Sequence, residues 1–233
     1  MDIKTIFFKA TDGVDLKGII YKSQKETQKI LISVHGMATN CIKQRDEKIA
    51  EKANEINIDL LTFNNRGHDL VNYIKKENNE KQELAGTAYE EISECYEDIL
   101  GAIQYAIQNN YNEIYLMGHS LGSTKTIYAY NKMLKENKDI VEKIKGIILL
   151  SLVDIPTAIQ VFLQDNFATM VTYAKNMKKE GMENELMPEK SFIHPISIKT
   201  FLRYAIENED INFAKFSDKE YNFEEINNIK IPL

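Results

Sequence analysis

Residues 113–126, Glu-Ile-Tyr-Leu-Met-Gly-His-Ser-Leu-Gly-Ser-Thr-Lys-Thr, restrict the fold more than any other stretch of the chain. An apolar run from Ile114 to Met117 stops at Gly118-His119-Ser120-Leu121-Gly122, and a helix-compatible run follows. The pattern predicts a strand, a sharp turn and a helix. In a G-x-S-x-G elbow the serine takes a strained backbone conformation at the tip. Small residues two before and two after it let strand and helix approach closely, and Gly118 and Gly122 fill those positions. The serine hydroxyl then stands at a helix N-terminus, where unpaired N–H groups and the helix dipole favour developing negative charge. Ser120 is therefore the candidate nucleophile.

The rest of the chain suits such an elbow. Residues 3–10 and 14–23 read as a hairpin joined at Thr11-Asp12-Gly13. Residues 29–34 are nearly continuous in apolar character, as a strand covered on both faces should be. A helix over 42–56 with Ile42, Ile49, Ala53 and Ile56 on one face, a strand over 58–65, a charged solvated loop over 75–82 and a helix from Gly86-Thr87 to 108 follow. After the elbow helix, to about residue 137, comes a buried strand over 144–151. Strands alternating with amphipathic helices after an antiparallel start predict an α/β fold, with a mostly parallel sheet and helices on both faces. The site is expected outside the carboxyl ends of the strands.

The elbow, together with His35-Gly36-Met37 at the end of the 29–34 strand, resembles the α/β-hydrolase superfamily, and within it the serine esterases and lipases that carry G-H-S-x-G. The resemblance implies that the backbone N–H groups of Met37 and Leu121 form the oxyanion hole, whose loss typically costs about 3 kcal/mol of transition-state stabilisation. It implies no metal or organic cofactor. Asn64-Asn65-Arg66-Gly67-His68-Asp69 is similar to an Asn-x-Arg-Gly-His-Gly turn of the family, with Asp69 in place of the last glycine. Arg66 and His68 read as organisers of the loop, with His68 as a minority alternative for the base and His35 as a structural anchor.

From residue 155 to 228 helices follow without intervening strands, at 157–180, 197–207 and near Tyr221. The resemblance implies a helical cap between the sixth and seventh strands, and this insertion occupies that place. Phe162, Phe167, Met170, Tyr173, Met177, Met182, Met187 and Phe192 are candidates to wall an apolar acyl pocket. The expected organisation is a core over 1–154, a cap over 155–228 and the start of a further core strand over 229–233. In the family the acid and histidine follow the nucleophile, after the seventh and eighth strands. Both expected positions lie beyond Leu233, so the sequence reads as a C-terminally incomplete copy of a hydrolase of about 270 to 290 residues. That reading expects a bare edge on the sixth strand, an uncovered sheet face and poor solubility or partner-dependent folding. Within the chain, Asp154 is a candidate acid or the cap of the helix that begins near Pro156, and His194 is a candidate base.

A length of 233 residues, 43% hydrophobic and 27% charged, fits one globular domain with a small insertion. A net charge of −6 argues against nucleic-acid binding. The N-terminus lacks the features of a signal peptide, and no apolar run approaches the roughly 18 residues of a membrane helix, so a cytoplasmic location without stable membrane insertion is expected. Cys41 and Cys95 lie in no metal-ligand spacing. Cys95 reads as a core residue, and Cys41 as a packing residue before a helix or a pocket liner. The resemblance implies a serine hydrolase of small-molecule carboxylic esters, or alternatively a non-catalytic hydrolase-like domain that binds a ligand or partner through its cap. The oligomeric state is open.

Overall fold

In a computed structural model describing residues 1–77, 79 and 81–233, the first two strands, β1 (Asp2–Lys9) and β2 (Asp15–Lys22), form the expected hairpin. Gly13, at φ +87°, supplies the left-handed turn residue between them. β3 (Lys29–Val34), β4 (Asp59–Asn64), β7 (Glu113–His119) and β8 (Ile144–Leu150) complete a six-stranded sheet in the order β1-β2-β4-β3-β7-β8. The β1/β2 and β2/β4 pairs are antiparallel, and β3/β4, β3/β7 and β7/β8 are parallel. Helices lie on both faces. α1 (Gln44–Glu55) rests on the cluster of Tyr21, Leu31, Leu60 and Met117, while α2 (Cys95–Gln108) and α3 (Leu121–Glu136) pack against Ile30, Ile32, Leu116 and Ile147 on the other side. α4 (Lys138–Val141) is a single turn before β8. The α/β architecture of the sequence is thus the architecture of the molecule.

Several elements depart from expectation for local reasons. Ile42 and Ile56 do not join the buried face of α1 but are 70% and 68% exposed. One precedes the helix and the other is its C-cap, so neither keeps the helical register, and the buried face is made by Ala50 and Ala53. α2 begins at Cys95 rather than near residue 87, because the 86–91 stretch turns inward: Thr87 and Glu90 are buried, and Glu91 caps a short 3-10 turn at Ile92–Glu94. Around the solvated 75–82 segment, of which positions 78 and 80 lie outside the described residues, β5 (Asn72–Ile74) and β6 (Glu83–Ala85) form a small hairpin. Three-residue strands leave no readable alternation in the sequence.

Beyond β8, α5 (Ile155–Leu163), α6 (Phe167–Lys179) and α7 (Ile198–Ala205) build the helical insertion, and α8 (Glu224–Asn227) follows. The single helix expected over 157–180 is broken at Gln164, φ +49°, which is followed by the weak helix formers Asp165 and Asn166. The insertion has its own apolar cluster, including Ile159, Val171, Ala174, Phe201 and Leu202, into which core residues Ile92 and Leu121 also pack.

The edge of β8 is not entirely bare. Ile147 N–H donates to the Pro232 carbonyl at 2.9 Å, so the last residues run along it. On the α1 side of the sheet an apolar groove of about 450 Å³ is lined by Leu31, Ile49, Ile56, Tyr115 and Ile148. No described helix is long and apolar enough to cross a membrane.

Candidate active site

Ser120 sits at the tip of the β7–α3 turn with φ +54° and ψ −125°. This is a conformation L-residues avoid unless their surroundings impose it. The imposition comes from both glycines. A Cβ on Gly118 would overlap the backbone of Gly122 and Ser123, and one on Gly122 would overlap the Val34 carbonyl at the end of β3. The turn is held by Ser120 N–H donating to Leu150 O at 2.8 Å and by Ser123 Oγ donating to Gly118 O at 2.9 Å. Among the described residues the Ser120 hydroxyl makes no hydrogen bond.

The His35-Gly36-Met37 loop lies directly against this tip. A Cβ on Gly36 would stand 3.1 Å from Ser120 Cβ and 2.8 Å from His119 O. Met37 and Leu121 both contribute side chains to the apolar cluster of the insertion. Their backbone N–H groups have no hydrogen-bond acceptor among the described residues, while the next one, Ala38 N–H, donates to Thr87 Oγ1 at 2.7 Å. Ser120, Met37 and Leu121 are therefore brought together.

His35 is 2% exposed. Its Nε2 accepts from Asn65 N–H at 3.2 Å, which fixes the proton on Nδ1, and Nδ1 donates to Gly36 O at 2.8 Å. Burial, followed by the nearby Lys125 charge, pushes its pKa down to about 3. His35 is a neutral anchor. His119 also has a lowered pKa, from burial and then from the charges of Arg45 and Lys43.

Arg66 organises the neighbouring turn. Its guanidinium meets Asp98 at 2.8 Å and 3.0 Å and Asp12 at 2.9 Å and 3.1 Å, and its N–H donates to Asp98 Oδ2 at 2.8 Å. Burial opposes the Arg66 charge, but the two carboxylates more than offset it and raise its pKa. Asp69, standing where the family turn has glycine, adopts φ +57°, a region that Asp tolerates better than most residues. Its carboxylate accepts from Asn40 at 2.9 Å and pairs with His68 Nδ1 at 2.8 Å. Burial alone would raise the Asp69 pKa, but these partners lower it.

The other candidates are dispersed. Asp154 follows β8 and caps α5, accepting from Thr157 N–H at 3.3 Å and Thr157 Oγ1 at 2.8 Å, with Asn212 Nδ2 at 3.4 Å. His194, half-buried in the loop before α7, has no hydrogen bond to Asp154 or Ser120 among the described residues. Cys41 is buried, with its N–H on Asn64 Oδ1 at 2.7 Å and burial raising its pKa, and Cys95 lies in the core. Of the proposed pocket walls, Met170, Met177, Phe167 and Phe192 pack half-buried on the insertion cluster and Met187 is buried in it. Phe162, Tyr173 and Met182 face solvent instead. They occupy the outer faces of their elements, a distinction that a list of apolar residues does not carry. No group of His, Cys, Asp or Glu among the described residues is arranged to hold a metal ion.

A buried ion pair next to the elbow was not anticipated. Lys125, on α3 just past the elbow, pairs with Glu90, and both are almost fully buried. In sequence Lys125 reads as an ordinary helix-surface lysine. The one trace of the pair is Gly67, where any Cβ would overlap the Glu90 carboxylate.

Sheet order, elbow and insertion define the α/β-hydrolase fold, and solved structures agree. The α/β hydrolase GrgF from Penicillium sp. sh18 is similar at a TM-score of 0.60 and 16% identity, covering 88% of this chain and 73% of that one. The siderophore hydrolase EstB from Aspergillus fumigatus is similar at 0.61 and 16%, covering 91% and 68%. Est1E from Butyrivibrio proteoclasticus, with ferulic acid bound, is similar at 0.55 and 17%, covering 86% and 70%. No curated protein matches the sequence. The chain belongs to the protein family of unknown function DUF1749, whose model matches residues 67–210.

Proposed function

We propose that this chain is a serine hydrolase that cleaves carboxylic esters through an acyl-enzyme on Ser120, with an apolar acyl group held under the helical insertion. The observation that carries the reading is the strained Ser120, its hydroxyl without a hydrogen bond among the described residues, beside Met37 and Leu121 N–H groups that have no acceptor among them. In this reading the Ser120 hydroxyl attacks the ester carbonyl and the two N–H groups receive the oxyanion as it forms. They stand in place before charge develops, which is why such donors stabilise the transition state more than the ground state. Collapse of the tetrahedral species expels the alcohol, and water then releases the acid. Half-buried Met170, Met177 and Phe192 offer the apolar wall. Within this chain the base is drawn from His194 and the acid from Asp154. The His68–Asp69 pair is the alternative imidazole, already oriented by a carboxylate.

One observation favours a second reading, ligand binding without turnover: the Asp154 carboxylate is engaged in capping α5 rather than in orienting an imidazole. A fluorophosphonate probe separates the two, because rapid labelling requires an activated serine. Prompt labelling lost in Ser120→Ala supports hydrolysis. Folded wild-type protein that stays unlabelled eliminates it for this chain.

A further inference from the structure

Polar groups buried in an apolar interior are costly unless fully paired, and replacing a buried ion pair by apolar side chains is often neutral or stabilising. The Lys125–Glu90 pair therefore has no obvious justification in stability alone, and what it touches suggests its use. On one side, Tyr204 Oη of α7 donates to Glu90 Oε2 at 3.2 Å, and Thr200 Oγ1 of the same helix donates to the Glu90 carbonyl at 3.2 Å. On the other side, Lys125 Nζ donates to Glu90 Oε1 and, at 3.2 Å, to Asn65 Oδ1, which also accepts from Gly67 N–H at 3.1 Å.

From this Asn65–Gly67 turn two arms lead to the loop beside the nucleophile. Asn65 N–H donates to His35 Nε2 at 3.2 Å, and His35 Nδ1 donates to Gly36 O at 2.8 Å. The Gly67 carbonyl accepts from Thr87 Oγ1 at 3.0 Å, and Thr87 Oγ1 accepts from Ala38 N–H at 2.7 Å. The arms end on the residues immediately before and after Met37. Lys125, Asn65, Thr87 and Tyr204 are each 0% exposed, so solvent does not compete for these bonds.

We infer that Tyr204, Glu90 and Lys125 are positioning residues that carry the seating of α7 to the backbone on both sides of Met37, and so set the oxyanion donor according to whether the helical insertion is docked. The inference rests on the serine-hydrolase reading for its chemical consequence but not for its mechanical one. None of the three residues touches the reacting atoms. A substrate that tightens the insertion around its acyl chain would thereby also tighten the donor, which ties catalysis to occupancy of the pocket.

A coupling of this kind needs a measurement at both ends. Tyr204→Phe removes one hydroxyl and keeps the ring packing, so the fold survives. Amide hydrogen exchange at Ala38, referenced to amides in β7, is expected to accelerate about tenfold as the Thr87 arm loosens. The rate of fluorophosphonate labelling at Ser120 is expected to fall about fivefold, with kcat on a p-nitrophenyl ester falling and KM unchanged. The paired change Glu90→Gln with Lys125→Met strands neither charge and is expected to give the same acceleration. Unchanged exchange at Ala38 in both variants overturns the coupling, whatever the labelling does. Accelerated exchange with an unchanged labelling rate overturns its bearing on the oxyanion hole. A wild-type protein that never labels, yet shows the accelerated exchange in the variants, removes the hydrolase reading and leaves the coupling in place.

Discussion

The strain at Ser120 makes a prediction whose sign is opposite to that at an ordinary helical position. A non-glycine residue held at φ +54° and ψ −125° carries about 1–3 kcal/mol of backbone strain. Ser120→Gly relieves it, while glycine's greater freedom in the unfolded chain takes back about 0.5–1 kcal/mol. Ser120→Ala keeps the strain. Neither change loses a side-chain hydrogen bond, because the hydroxyl caps nothing although Ser120 is the N-cap residue of α3. The glycine variant is therefore expected to be more stable than the alanine variant by about 1 kcal/mol, or about 2 °C in Tm for a chain this long. The assay is reversible urea unfolding followed by circular dichroism. At Gln104, in the middle of α2, the same comparison should favour alanine by about 1 kcal/mol. An alanine variant at 120 as stable as the glycine variant would refute the idea that the elbow stores strain.

Two further predictions follow from the buried polar groups. Folded His35 resists protonation down to about pH 3, whereas in the unfolded chain it takes up a proton near 6.5. Between those values the unfolded state binds the extra proton, so His35 makes stability fall with decreasing pH by about 1.4 kcal/mol per unit. Urea unfolding of His35→Gln between about pH 4 and 6 should be flatter by that slope. Arg66→Met leaves Asp98, which is 0% exposed, without its counter-charge. It is expected to destabilise by about 3–5 kcal/mol, most of which returns when Asp98→Asn is added; calorimetry of the single and double variants checks both.

What the sequence disclosed and what it withheld divide along physical lines. The elbow was legible because it needs residue types at fixed offsets: Gly118 and Gly122 are demanded by backbone atoms that would otherwise collide. β3 was legible because both its faces are buried, leaving an unbroken apolar run. Asp69 was legible as a departure, and its positive φ shows that the backbone requirement persisted when the glycine did not. The 86–91 stretch was misjudged because its residues fit a helix locally, and only the interior demand for Thr87 and Glu90 turns it inward. Lys125 was hidden for a similar reason. A lysine's burial depends on where its partner comes from, here a residue 35 positions away. The base left no comparable trace in the sequence, and neither His194 nor His68 is bonded to Ser120 among the described residues.

The pairing at the middle of the sheet has a consequence for how the chain reaches this structure. β3 joins β4 on one side and β7 on the other, and Lys29 meets Glu113, about 80 residues further along, a separation that slows folding because the intervening loop must close first. During synthesis β1, β2 and β4 are available early, but the open side of β3 waits until β7 has emerged. For that interval the open side of β3 lacks its backbone partners, and Ile30, Ile32 and Val34, completely buried in the final structure, lack the part of their covering that α3 supplies. Such an exposed apolar edge is what chaperones bind and what aggregates in their absence. The strand that closes the open side of β3 is the one that leads into Ser120, so the elbow is assembled by the same late event that protects the nascent chain.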